Sequence, residues 1–362
     1  MTIEIDVTAE KKLLNEFLGF IRGQRLLLIE GTRSVENLLY KEQAPDSERG
    51  IISIAAELNR LECNFEIVES NSPDLDVAIA RANLVLIYAH GEFGEDGRLQ
   101  GLLDYKNKPY PGSGVLASAI CLDKVVFKSL MISAGLSTPA YTLPSEQSDL
   151  SNRIGILGYP VMAKPRCGGS SIGICRLSDE TELQAWRVAI NPSELDDYFF
   201  ENHINGRFLT IGIIELVSGL KVMPILEVDA GIRFYDAQIK LGNEKGEVKP
   251  RVEVPANLPL HVAENVRTLA KRAFLQSRCE GIGRVDIMLD EVGCPHLLEI
   301  NTIPGMSINS NMTHAFASLG FDYAELLLAV LRTAYLKQDR KSFADKEEVV
   351  GNTHEVRIAE SV

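Results

Sequence analysis

Arg284, Asp286, Glu299 and Asn301 fall in two short segments, Gly283-Arg284-Val285-Asp286-Ile287-Met288 and Leu297-Leu298-Glu299-Ile300-Asn301-Thr302-Ile303-Pro304-Gly305. In extended chain alternate side chains share a face, so Arg284, Asp286 and Met288 point one way and Glu299 and Asn301 do the same on the next strand. Asp290-Glu291-Val292-Gly293 between them reads as the turn of a hairpin. Pairing would gather two carboxylates and an amide oxygen, the hard donors that Mg2+ prefers, with room for nucleotide phosphates and water. The competing reading is a solvated surface ladder, against which the apolar flanks argue.

A second group is Lys164-Pro165-Arg166-Cys167-Gly168-Gly169-Ser170-Ser171-Ile172-Gly173. A loop with glycines and serines after a strand offers N–H groups and hydroxyls to an anion, and Lys164 adds charge. The segment lacks the G-x-x-x-x-G-K-[ST] spacing, so it is not a P-loop, and an ordinary glycine-rich hairpin is its plain alternative. A third group, His90-Gly91-Glu92-Phe93-Gly94-Glu95-Asp96-Gly97-Arg98-Leu99-Gln100-Gly101, directly follows an apolar strand. Ligands of parallel sheets sit beyond the carboxyl ends of the strands, which places His90 on the substrate side.

The elements that must position these groups alternate. Residues 10–22 read as an amphipathic helix, 25–29 as a buried strand, 51–61 as a helix, 65–68 as a strand, 75–82 as a helix and 84–89 as a fully apolar strand. That order implies a parallel sheet covered on both faces. Further on come a helix over 122–134, a strand over 160–164 running into the glycine loop, a helix over 179–189, a strand over 198–201 and two long strands near 207–217 and 221–228. This part reads as a largely antiparallel sheet. Residues 240–250 are polar and read as a mobile stretch; helices over 258–277 and 321–337 flank the hairpin.

At 362 residues the chain is too long for one ordinary core. The expected division is an N-terminal α/β substrate domain over 1–121, a central lobe over 122–210, a C-terminal lobe with the metal site over 211–340, and a charged, loosely ordered tail over 341–362. A net charge of −13 argues against a large nucleic-acid footprint. The sequence contains no apolar run of membrane-spanning length, and its N-terminus has no secretory pattern. The six cysteines form no C-x-x-C pair, which suits a cytoplasmic protein.

Taken in order, H-G-x-x-G-E-D-G-x-x-Q-G, P-Y-P-G-S-G-V-L-A-S-A, L-D-K over 122–124, K-P…G-G-S-S-I-G and R-V-D…L-L-E-I-N-T-I-P-G-M-S resemble the D-alanine:D-alanine ligase branch of the ATP-grasp superfamily. The resemblance covers about 80–335. It implies an α/β ATP-grasp fold, with the parallel-sheet domain followed by two α+β lobes that sandwich ATP, small-molecule amino-acid and acceptor substrates, and a homodimer. Lys124 and Lys164 match lysines that hold the ATP phosphates, with Ser170 and Ser171 in the loop that closes over them. Glu201 and Ile204 match hinge residues beside the adenine, and Phe234, Met288 and Leu298 its apolar walls. Lys240 matches a lid lysine near the terminal phosphate. Asp286, Glu299 and Asn301 match ligands of Mg2+, with Mn2+ as an alternative. Arg284 and the Gly305 N–H match groups that stabilise an oxyanion; together with Lys240 and Ser170 they make up the expected catalytic set. Glu48, His90 and Ser310 match substrate-side positions.

The sequence departs from the pattern at Phe208, where the family has a ribose-binding Glu, at Leu241 in place of a lid tyrosine, and at Asn311 after the substrate serine. Glu48-Arg49 follows an unusually long loop. These changes suggest intact phosphate chemistry with an altered substrate. The expected activity is an ADP-forming C–N ligase of specialised metabolism, of the mycosporine-glycine:amino-acid ligase kind, with D-alanine:D-alanine ligase as the alternative. Two other classes compete. Gly112-Ser113-Gly114-Val115-Leu116-Ala117 fits a weak dinucleotide-binding pattern, though Pro109 and Pro111 leave no strand before it. A non-catalytic nucleotide sensor would not need a full metal set beside Arg284.

Overall fold

The computed structural model describes residues 5–32, 37–38, 49–144, 150–169, 172–229 and 251–351, with side chains as far as residue 337. Helix α1 (Val7–Arg22) is opened by the Asp6 carboxylate accepting from Ala9 N–H and is followed by β1 (Arg25–Glu30). Then come α2 (Gly50–Arg60), β2 (Asn64–Glu69), α3 (Leu75–Arg81) and β3 (Leu84–Tyr88). These strands form a parallel sheet in the order β2-β1-β3, as the alternation required. The apolar run of β1 is explained by its two covered faces. Leu26 and Leu28 pack into a core with α1 and α2, while Leu27 and Ile29 pack against α3.

Two further helices, α4 (Arg98–Tyr105) and α5 (Val115–Leu122), lead to α6 (Lys124–Ser133). The helix expected over 122–134 is α6, starting two residues later, while α5 before it was not expected. The Asp123 carboxylate leaves the helical path and accepts from the N–H groups of Val125 and Val126, capping α6. The Gly112–Ala117 segment follows no strand of the parallel sheet, and Gly114 opens α5. It lacks the strand that a dinucleotide-binding turn requires.

The next unit holds β4 (Tyr141–Thr142), α7 (Leu150–Leu157), β5 (Val161–Pro165), β6 (Cys175–Leu177), α8 (Glu180–Ala189) and β7 (Tyr198–Asn202), with an antiparallel sheet ordered β4-β7-β5-β6. The last sheet contains β8 (Gly206–Leu216), β9 (Gly219–Val222), β10 (Leu226–Asp229), β11 (Arg251–Glu253), β12 (Ile282–Asp290) and β13 (Pro295–Asn301). Its path is β11-β10-β8-β12-β13, with β9 on β8. The long strand expected over 221–228 is two short ones, because Pro224 has no N–H for the ladder.

Helix α9 (Leu260–Gln276) covers one face of that sheet and packs with α6 around Val285, Ile287 and Leu297. Helices α10 (Asn311–Ala317) and α11 (Tyr323–Gly351) close the fold against α1 and β8. Helix α11 continues past residue 337. Residues 352–362 and the stretch 240–250 lie outside the described residues. Among the described residues no helix is long and apolar enough to cross a membrane.

Candidate active site

Pairing of β12 with β13 brings the polar faces together, through a slip in register that the alternation does not show. Asp286 stands opposite Glu299, and Arg284 opposite Asn301. The register then slips: Ile287 pairs with Leu297, leaving Leu298 as an extra residue. This bulge lets the consecutive Leu298 and Glu299 both border one cavity while Leu297 stays in the core. Asp286 is buried and well supplied with donors. Arg284 Nε and Nη2 reach its two oxygens at 2.9 and 2.8 Å, Thr210 Oγ1 donates at 2.7 Å and Asn301 Nδ2 at 3.1 Å.

The basic groups come mainly from one helix face. Lys124 and Lys128 are one turn apart on α6, so their side chains lie side by side. Lys124 Nζ is 3.2 Å from Glu299 Oε2 and donates to Gly168 O at 2.5 Å. The Lys124 N–H also donates to Arg166 O, and Arg166 pairs with Asp123, which ties the start of α6 to the loop after β5. Glu201 on β7 sits between two ammonium groups, Lys164 Nζ at 2.5 Å and Lys128 Nζ at 2.6 Å. Burial raises the carboxyl's proton affinity, but attraction to Lys164 and Lys128 outweighs this and holds Glu201 below the ordinary carboxylate range. Burial draws Lys128 below its usual value, partly countered by Glu201.

Lys124, Lys164 and Glu201 border a cavity of about 730 Å3 between the two antiparallel sheets, with Lys128 behind its wall. That volume lies within the span of small-molecule sites, roughly 300–1,000 Å3. Lys124, Lys164, Glu201, Ile204, Asp286, Met288, Leu298 and Glu299, all singled out in the sequence, line it. Arg284 and Asn301 join through Asp286. Phe199, Phe208 and Met162 add apolar wall, and Gly168 and Gly169 bring the glycine loop to its rim. A set of two carboxylates and one amide suits a hard cation. Among the described residues no group of three or more His, Cys, Asp or Glu side chains is placed to hold a metal ion, so this reading rests on the two carboxylates with the amide.

His90 lies elsewhere, in a small pocket with Glu30, Arg49 and Tyr88. Its backbone is clasped by Asn37, whose amide donates to His90 O at 2.7 Å and accepts from His90 N–H at 2.9 Å. Arg49 pairs with Glu30 at 3.3 Å. The loop carrying Gly305 is held on both sides: Ile303 N–H on Glu95, Met306 N–H on Tyr88, Met306 O by Tyr323 and Ile308 N–H on Ser53. Ser310 caps α10 by accepting from Thr313 N–H. Glu48, Ser170, Ser171, Phe234, Lys240 and Leu241 lie outside the described residues.

Sequence reasoning overlooked Lys128, Glu95, Thr210 and Glu30. The four-residue step from Lys124 on a helix was a signal for Lys128. Glu95 was in a quoted motif, but its partner is distant in sequence.

Comparison with known proteins fits this geometry. A family model described as the D-ala D-ala ligase C-terminus matches residues 130–332. The D-alanine–D-alanine ligase of Bordetella avium is 37% identical over 254 residues, 70% of this chain and 78% of that protein. The one from Alcanivorax borkumensis is 34% identical over 326 residues, 90% of this chain and 98% of that protein. The crystal structure of D-alanine–D-alanine ligase from Bacillus anthracis complexed with ATP superposes with a TM-score of 0.73 at 26% identity, covering 88% of this chain and 100% of that one. With the hairpin carboxylates, the paired lysines and the three sheets in place, the chain belongs to the D-alanine–D-alanine ligase family, C–N bond-forming ligases of the ATP-grasp fold.

Proposed function

We propose that this protein joins two molecules of D-alanine at the expense of ATP. The observation that carries the reading is the meeting of Asp286 and Glu299 with Lys124 and Lys164 in one cavity of nucleotide size. The names of the relatives favour D-alanine over the specialised-metabolite substrates that Phe208, Leu241 and Asn311 suggested. Phe208 borders the proposed nucleotide cavity, where it bears on ATP and not on the amino acid. Asn311 opens α10 behind its Ser310 cap.

In this reading the lobes at 122–210 and 211–340 enclose ATP, with its adenine near Glu201 and Ile204 and its phosphates near Lys124 and Lys164. Asp286, Glu299 and Asn301 would hold Mg2+, or Mn2+, which when bound neutralises phosphate charge. The first D-alanine carboxylate attacks the terminal phosphorus and ADP leaves, giving an acyl phosphate. The amine of the second D-alanine attacks the acyl carbon, loses a proton, and phosphate leaves as the amide forms. Arg284 and the Gly305 N–H are assigned to the oxyanion of that addition, and His90 and Ser310 to the substrate side. The same family reading carries a homodimer, which sedimentation equilibrium tests.

The deciding experiment incubates purified protein with ATP, Mg2+ and D-alanine, and quantifies ADP and dipeptide. One D-alanyl-D-alanine per ADP is expected. Absence of dipeptide, together with ADP release on L-amino acids plus mycosporine-glycine, would return the specialised-metabolite reading.

A further inference from the structure

Lys128 is fully buried and lies behind the wall of the nucleotide cavity, whereas Lys164 borders it. Its Nζ is within reach of three acceptors: Glu201 Oε2 at 2.6 Å, Thr138 Oγ1 at 2.6 Å and Pro139 O at 3.2 Å. An ammonium group has three protons, so these contacts fix it. Glu201, 1% exposed, has Lys164 as its second cation. If Lys164 turns to a phosphate, Glu201 loses that partner, and a buried carboxylate without a counter-ion is strongly destabilising.

We propose that Lys128 is a positioning residue of the nucleotide site, the fixed counter-ion that keeps Glu201 ionised and in place while Lys164 moves between Glu201 and an incoming phosphate. The inference rests on the ATP reading of the cavity. It also bears on the adenine contact that the family resemblance already gives Glu201. A carboxylate held in the wall accepts a hydrogen bond from the exocyclic amine of adenine and repels the carbonyl oxygen at the same position of hypoxanthine.

The test is equilibrium binding of ATP and ITP to the full-length wild type, K128M and K128M/E201Q, with thermal melts to establish folding. In K128M, Glu201 retains Lys164 as its remaining partner, and ATP affinity falls by about tenfold or more. In K128M/E201Q both charges are gone, most of the ATP affinity returns, and preference for ATP over ITP shrinks to about twofold or less. Unchanged ATP affinity in folded K128M overturns the proposal. So does a double variant that keeps the wild-type preference, and that measurement decides alone if K128M does not fold. Binding needs no amino acid, so inactivity toward D-alanine leaves this test intact. A wild type that binds neither nucleotide would instead defeat the ATP reading, and the proposal with it.

Discussion

Glu95 Oε1 accepts the backbone N–H of Ile303 at 3.1 Å, while its Oε2 accepts that of Gly91 at 2.8 Å. One carboxylate thus joins the loop after His90 to the loop that carries Gly305, although they are more than 200 residues apart in sequence. A glutamine has a single acceptor oxygen and would turn its amide N–H groups toward one of the two donors. The lost bond leaves a part-buried N–H unpaired, at a cost of about 1–3 kcal/mol. E95Q is expected to lower kcat by roughly ten- to a hundredfold, because a small misplacement of positioned groups is enough for that. KM for ATP should change little. Steady-state kinetics with D-alanine and ATP varied separately checks this, and an equal rise in both KM values with unchanged kcat would count against it.

The hairpin carboxylates should show their role in metal dependence. E299Q removes one proposed ligand and also releases Lys124, which stands 3.2 Å from Glu299. Turnover is expected to fall by about a hundredfold or more, with partial recovery at high Mg2+ or Mn2+. A melting temperature within a few degrees of wild type is expected, because Glu299 is partly exposed. Near-wild-type turnover at ordinary Mg2+ would remove Glu299 from the ligand set.

Lys164→Ala tests the proposed contact of this lysine with the ATP phosphates. It removes a charged contact and leaves Glu201 with Lys128 as its cation. ATP affinity is expected to drop by about tenfold or more, the range of a charge-assisted bond. Isothermal titration with ATP reads this directly, and wild-type affinity combined with wild-type turnover would exclude a phosphate role.

Much of this site could be read from the sequence, for identifiable physical reasons. Strand alternation alone placed Arg284 with Asp286 and Glu299 with Asn301, but the register that runs from Leu289–Pro295 would pair Asp286 with Leu298, and only the slip brings Asp286 opposite Glu299. The slip at Leu298 could not be seen, since a bulge is set by how two strands pack and not by the pattern of either. The parallel sheet was legible because β1 and β3 are apolar on both faces. The start of α6 was read within two residues, whereas α5 was missed, because Val115–Leu122 is short and apolar on most sides, with no polar face to give a helical period. The Lys128–Glu201–Lys164 cluster needed three elements, α6, β7 and β5, to be placed in space.

Glu201 should make part of the acid limb of stability. Its folded-state value lies below the ordinary one, because Lys164 and Lys128 outweigh the burial that opposes them. A group shifted this way contributes stability that is complete above its unfolded value of about 4.3 and is lost as pH falls through the lower folded value. E201Q lacks this contribution and leaves two buried ammonium groups short of a partner. The urea midpoint of E201Q should therefore lie below wild type at pH 7, and the gap should narrow as pH drops below 4. A gap that stays constant across that window would mean Glu201 is not ionised in the folded protein.

Phe208 gives the prediction most particular to this chain. The family resemblance places a ribose-binding carboxylate at this position, and here a phenyl ring borders the proposed nucleotide cavity on β8. A ring can pack against the sugar but cannot accept from its hydroxyls. Removing both ribose hydroxyls should therefore cost little: 2′,3′-dideoxy-ATP is expected to bind within about threefold of ATP, since an absent hydrogen bond leaves no partner unpaired. F208E should restore a preference for ATP by about tenfold, the worth of a hydrogen bond to a charged group. The variant must also be shown to fold, because a new carboxylate in a partly apolar wall carries a desolvation cost. Competition binding of the two nucleotides to wild type and F208E gives both ratios in one experiment. A strong wild-type preference for ATP would show that another group of the cavity has taken over the hydroxyls, and an unchanged ratio in folded F208E would place the ribose away from β8.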